Sequence, residues 1–121
     1  DQNNSALMIA IENSNIPMIL LLLDHNARLD LKNKSGETAL MMAAASKSAS
    51  SVDVARLLIE GGHNGEFKRG SNQVDVNELS VEKGDSAVMI AADNDNIAMV
   101  DYLVNQGAKL DLKNKAGKTT L

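Results

Sequence analysis

The sequence predicts an all-α repeat solenoid: antiparallel helix pairs joined by extended hairpin fingers, with a long insertion in the second repeat. Three observations predict it. The stretch 29–40, LDLKNKSGETAL, returns at 110–121 as LDLKNKAGKTTL, identical at nine of twelve positions. Leu7, Leu40, Val88 and Leu121 head equivalent blocks, with equal first and last steps and a longer step from Leu40 to Val88. A repeat of roughly 33 residues is the length of one supersecondary unit that buries its apolar face on the next. Finally, only Phe67 and Tyr102 are aromatic although 44% of the residues are hydrophobic. Such a core of Leu, Ile, Val, Met and Ala suits thin helices that approach closely.

Each element follows from its own residues. In the first unit SALMIAI at 5–11 precedes a polar break, Glu12-Asn13-Ser14-Asn15, and then the apolar run 16–23. The second reads TALMMAA at 38–44, a longer break through Ser51, and an amphipathic run at 52–60. The third reads SAVMIAA at 86–92, the break Asp93-Asn94-Asp95-Asn96, and the run 97–104. Every block is too short to be stable as an isolated helix, so the pairs must hold one another. Ser5, Thr38, Ser86 and Thr119 stand where a hydroxyl would cap the next helix. Pro17 falls in the first turn of a second helix, where its missing N–H is not needed. Gly62 and Gly107 follow second helices, with Asn26 in that place in the first unit. Beyond them, Leu29-Asp30-Leu31 and Leu110-Asp111-Leu112 alternate as extended segments and run into glycine turns at Gly36 and Gly117. The repeats are expected at about 1–34, 35–81 and 82–115, with a partial fourth at 116–121, in a single domain that is a fragment of a longer protein.

A helix, a turn, a helix and an extended hairpin in each unit of this length resembles the ankyrin repeat. The family pattern Thr-Pro-Leu-His-Leu-Ala-Ala is echoed at 38–44 and 86–92, and Gly-Ala-Asp-Val-Asn at 107–111. Departures stand out. The family's proline is Ala6, Ala39, Ala87 and Thr120, and its histidine is Met8, Met41 and Met89, which are read as core gap-fillers. Asp95 takes the place of the family's glycine between two helices. The resemblance also implies that Asn77 is the one position matching the asparagine that is hydroxylated in some ankyrin hairpins, since Asp30 and Asp111 replace it elsewhere.

The second unit carries the extra length, a little of it between its helices and most of it after them, chiefly at 63–73. Insertions in a stacked array are expelled as loops and often carry function. Within this one, Phe67 flanked by Lys68 and Arg69 is a candidate partner anchor; the other reading is a ring folded back on a neighbouring helix.

Little in the chain points to catalysis. A net charge of −4 argues against nonspecific nucleic-acid binding, and there is no cysteine for a disulfide or thiolate metal site. The longest apolar run, 16–23, is far short of the roughly 20 residues that cross a bilayer, so no membrane insertion is expected. Neither His25 nor His63 accompanies a nucleophile elbow or phosphate-binding loop, and His63 with Glu66 is too small a set for a metal. Asp93-Asn94-Asp95 opens like a calcium loop but lacks the later glycine and glutamate. No enzyme activity and no cofactor are expected. The resemblance places a protein partner in the concave surface of finger tips and first-helix ends. By position these are Lys32, Lys34, Ser35 and Glu37; Ser46; Glu82, Lys83 and Asp85; Asp93 and Asn94; and Lys113, Lys115 and Lys118. The expected function is a noncatalytic protein–protein interaction module, cytoplasmic by default and a monomer by default. The alternative is a structural spacer or autoinhibitory domain within a larger protein.

Overall fold

The computed structural model describes residues 5–25, 27–29, 31–60 and 74–119. Six helices run through them in order: α1 Ala6–Glu12, α2 Ile16–Asp24, α3 Ala39–Ala45, α4 Ser51–Glu60, α5 Ala87–Asp93 and α6 Ile97–Asn105. Each consecutive pair forms one hairpin. The first helices α1, α3 and α5 pack in one row, and the second helices α2, α4 and α6 in a parallel row behind it.

The first helices are only seven residues long, so their ends matter. Ser5, Thr38 and Ser86 adopt extended backbone, and their hydroxyls accept from the N–H groups of Met8, Met41 and Met89 at 3.2, 3.4 and 3.4 Å. All three methionines are buried, as the sequence reading requires. Met41 adds something that reading did not contain: its sulfur accepts the backbone N–H of Thr38 at 3.4 Å, closing a reciprocal cap. A thioether is a weak acceptor, yet here it partners a buried donor. Met41→Leu keeps the volume and removes the acceptor, so it is expected to cost about 1 kcal/mol in urea denaturation. An unchanged midpoint would show that the sulfur contributes packing alone.

Second helices start differently. Asn15 and Asn96 cap α2 and α6 through their side-chain oxygens, accepting from Met18 and Met99 N–H. The residues before them, Ser14 and Asp95, take left-handed backbone at φ 51° and 55°. Asp95 thus meets the conformational demand for which the family uses glycine. The longer connection 46–50 is folded by its own serines: Ser46 Oγ accepts from Ser48 N–H and Ser48 Oγ from Ser50 N–H, each at 3.1 Å. At the far end of α6, Ala108 N–H reaches Leu103 C=O while Gly107 turns left-handed at φ 95°. Asn26, Gly62 and the whole insertion 61–73 lie outside the described residues.

The core is aliphatic and continuous. Ala39, Leu40, Met41, Ala43 and Ala44 of α3 are all buried, because this helix is covered by α1, α4 and α5 together. Alanine on both sides lets the first helices approach closely. Ile19, Leu23, Leu58, Met99 and Leu103 fill the space between the rows. Tyr102 is also buried, with the Arg56 guanidinium 5.3 Å from its ring centroid, tying α4 to α6.

The fingers are closed by turn bonds, with no strand among the described residues. Asn33 N–H donates to Glu37 C=O and Asn114 N–H to Lys118 C=O, and each asparagine's side-chain oxygen accepts two further N–H groups within its turn. The middle finger is closed by Ser80, whose N–H donates to Asp85 C=O and whose hydroxyl accepts from Asp85 N–H.

Candidate functional site

The fingers stack, and their stacking fixes the wall of a groove. Val81 N–H donates to Gly36 C=O at 3.2 Å, and Lys115 N–H to Lys83 C=O at 2.9 Å. Asn114 Nδ2 donates to Asp85 Oδ1 at 2.9 Å, and Lys115 Nζ donates to Val81 C=O. Lys32 pairs with Glu78 at 2.8 Å. Asn77 clamps the next repeat with both ends of its amide, donating to Gly107 C=O and accepting from Lys109 N–H. The one hairpin asparagine singled out in the sequence is therefore a bridge between repeats.

Between this wall and the first-helix ends lies a hollow of about 460 Å³, lined by Ser35, Glu37, Ala45, Ser80, Glu82, Lys83, Asp85, Ile90, Asp93 and Asn94. A second, of about 480 Å³, is lined by Ile11, Glu12, Ser14, Glu37, Met42, Ala45, Ser46, Lys47 and Ser48. Glu37 and Ala45 belong to both, so the two form one groove across three repeats. Its charge is mostly negative: Glu12, Glu37, Glu82, Asp85 and Asp93 face only Lys47 and Lys83. Asp85 is 7% exposed and holds Asn114, which makes it part of the wall. Asn94 donates its amide to Ile90 C=O at 2.8 Å, closing the end of α5, while Asp93 stays exposed.

The residues expected from sequence divide into three sets. Ser35, Glu37, Ser46, Glu82, Lys83, Asp85, Asp93 and Asn94 come together in the groove. Lys32 and Lys115 are turned to neighbouring fingers, and Lys34, Lys113 and Lys118 are exposed on the tips without lining the hollows. Phe67, Lys68 and Arg69 lie outside the described residues, as do His63 and Glu66. Two floor residues, Met42 and Ile90, were missed. They occupy the same register position in successive repeats, a signal the sequence did carry, but an apolar residue in a helix reads first as core. Among the described residues no three His, Cys, Asp or Glu side chains gather to hold a metal ion, and no helix is long and apolar enough to cross a membrane.

Stacked helix pairs with projecting fingers above a groove define a repeat protein. The chain belongs to the ankyrin-repeat family: residues 1–69 match the family described as ankyrin repeats (3 copies), and residues 83–115 match the single ankyrin repeat. Among known proteins it is similar to the human ankyrin repeat and KH domain-containing protein 1, 34% identical over 117 residues, covering 96% of this chain and 4% of that protein. It is also similar to the ankyrin repeat and KH domain-containing protein mask of Drosophila melanogaster, 33% identical over 119 residues, with 98% and 3% covered. A third relative, protein glp-1 of Caenorhabditis elegans, is 30% identical over 124 residues, with 100% and 9% covered. The chain thus spans under a tenth of the length of these curated relatives. Ankyrin repeats are generally protein-interaction modules and typically noncatalytic.

Proposed function

We propose that the chain is a noncatalytic interaction module that holds a protein segment in the groove between its fingers and first-helix ends. The observation that supports this most is the continuity of the two hollows through Glu37 and Ala45, which makes a trough long enough for an extended peptide. Backbone groups of such a peptide meet Ser35, Ser80 and Asn94, while Ile90 and Met42 offer apolar contact beneath. The groove carboxylates set orientation and speed encounter more than they add affinity. Lys34, Lys113 and Lys118, exposed on the finger tips, carry the opposite sign. Phe67, Lys68 and Arg69 are proposed as an additional contact.

Peptides selected on the immobilised chain from a random display library provide the test. Binding of the selected peptides to the Glu82→Lys/Asp93→Lys double variant is expected to fall at least about tenfold, with an unchanged melting temperature, since both side chains are exposed. Peptides that bind the double variant as well as the parent chain would place recognition elsewhere.

A further inference from the structure

Asp85 differs from the other carboxylates of the groove. It lines the hollow of about 460 Å³, yet it is only 7% exposed. Ser80 pins its backbone from both sides: Asp85 N–H donates to Ser80 Oγ at 3.2 Å, and Asp85 C=O accepts from Ser80 N–H at 2.8 Å. Its Oδ1 accepts from Asn114 Nδ2 at 2.9 Å. Among the described residues nothing donates to its Oδ2. A carboxylate so far removed from water is costly unless it is paired, and one neutral amide satisfies only part of it.

The surroundings say what would satisfy the rest. Glu37, Glu82 and Asp93 line the same hollow, with Lys83 the one basic residue among its lining. Neither Glu82 nor Asp93 forms an ion pair among the described residues. Exposed carboxylates alone would be content with solvent; the buried one beneath them would not. No three acidic side chains come close enough to hold a metal ion among the described residues, so the hollow is shaped for a larger cation. Ala45 stands where the first and third repeats carry Glu12 and Asp93, which leaves the middle of the groove open. With Ile90 it offers apolar surface along which the stem of a long side chain can lie. Taking the groove as the peptide-binding surface, on which this rests, we propose that the bound segment is anchored by a basic side chain, arginine or lysine, whose charged head meets Asp85 and whose stem lies over Ile90 and Ala45. Glu82 and Asp93 draw the segment in from solution, and Asp85 fixes its register.

Peptides selected on the immobilised chain carry the test, their binding measured by fluorescence anisotropy. The selected pool is expected to share an arginine or lysine at one position. Replacing that residue by its uncharged isostere, citrulline for arginine or norleucine for lysine, is expected to weaken binding at least about tenfold and leaves the protein untouched. On the protein, Asp85→Asn keeps an acceptor for Asn114 and removes the charge. It is expected to weaken the charged peptide about tenfold and the uncharged form less than about twofold. Ala45→Trp blocks the groove without regard to charge, since Ala45 is exposed and lines both hollows. Circular dichroism of each variant separates a changed site from a failed fold, and the isostere comparison decides even where a variant does not fold. Peptides lost with Ala45→Trp but bound equally by Asp85→Asn overturn the basic anchor and leave the groove standing, as does a pool with no shared basic position. Equal weakening of charged and uncharged peptides by Asp85→Asn would mean that Asp85 only holds the neighbouring finger, and overturns the anchor too. Peptides indifferent to both variants overturn the groove itself.

Discussion

Gly36→Ala is expected to lower the unfolding free energy by about 3 kcal/mol, while Gly117→Ala, at the same place in the last finger, costs about 1 kcal/mol. Both glycines are left-handed, at φ 76° and 81°, so a side chain meets the same backbone strain at each. Their surroundings differ. A Cβ on Gly36 would stand 2.6 Å from Val81 Cγ2 and 2.7 Å from Val81 N, and nearer still to Val81 Cβ, whereas one on Gly117 meets nothing within 4 Å. The crowding atoms could turn aside only if they ended a flexible side chain, and here they include a Cβ and the backbone beside it. Relief therefore requires the second finger to move away from the first and to stretch the Val81–Gly36 hydrogen bond. Urea denaturation of the two variants reads the difference directly. Equal losses would mean that the fingers do not abut as described, and the groove wall would have to be redrawn. Because that wall positions Glu82 and Lys83, peptide binding is expected to weaken with Gly36→Ala and not with Gly117→Ala.

Leu103→Ala is expected to cost about 3 kcal/mol, within the range for emptying a buried leucine site. Leu103 is 0% exposed on α6, which packs against α5 and α4, and neighbours on short helices joined by tight turns have little freedom to collapse into the space. The adjacent Val104, 39% exposed, provides the comparison. Val104→Ala should cost under about 1 kcal/mol. A repeat array is held by nearest-neighbour contacts. Loss at Leu103 should therefore first release α5, α6 and the last finger, seen as early loss of amide protection across 87–119. Protection lost uniformly from Ala6 onward would show that the three repeats melt as one unit.

Much of the fold was legible in the residues themselves. The echo of 29–40 in 110–121, the three hydroxyl caps at Ser5, Thr38 and Ser86, and the stop at Gly107 are local signals, and each has a local cause in the structure. The methionines in place of histidine were legible as core because any buried, flexible apolar chain can fill the same gap. The asparagine caps at Asn15 and Asn96 were less visible, since an asparagine in a polar break reads first as turn. The sulfur acceptor of Met41 was not visible at all, because nothing in a sequence says where a thioether will point.

The candidate site shows the same division. That Glu37, Glu82, Asp93 and the tip lysines share one side of the array is what the resemblance to ankyrin repeats implies; the period adds only that equivalent residues of successive repeats point the same way. Which of them face inward follows from neither. Lys32 and Lys115 have much the same sequence context as Lys34 and Lys113, yet two reach a neighbouring finger and two do not line the hollows. Asp85 reads as one more surface charge until Asn114, from the next finger, is found against it. The sequence by itself determined the repeat, its length, its first-helix starts, the stop at Gly107 and the aliphatic core, because those depend on contacts within about one turn or one period. Only the tertiary structure decided the charge of the groove and the partners of its lysines. Those depend on what the adjacent repeat covers, and burial by a neighbour is a property of the assembled array.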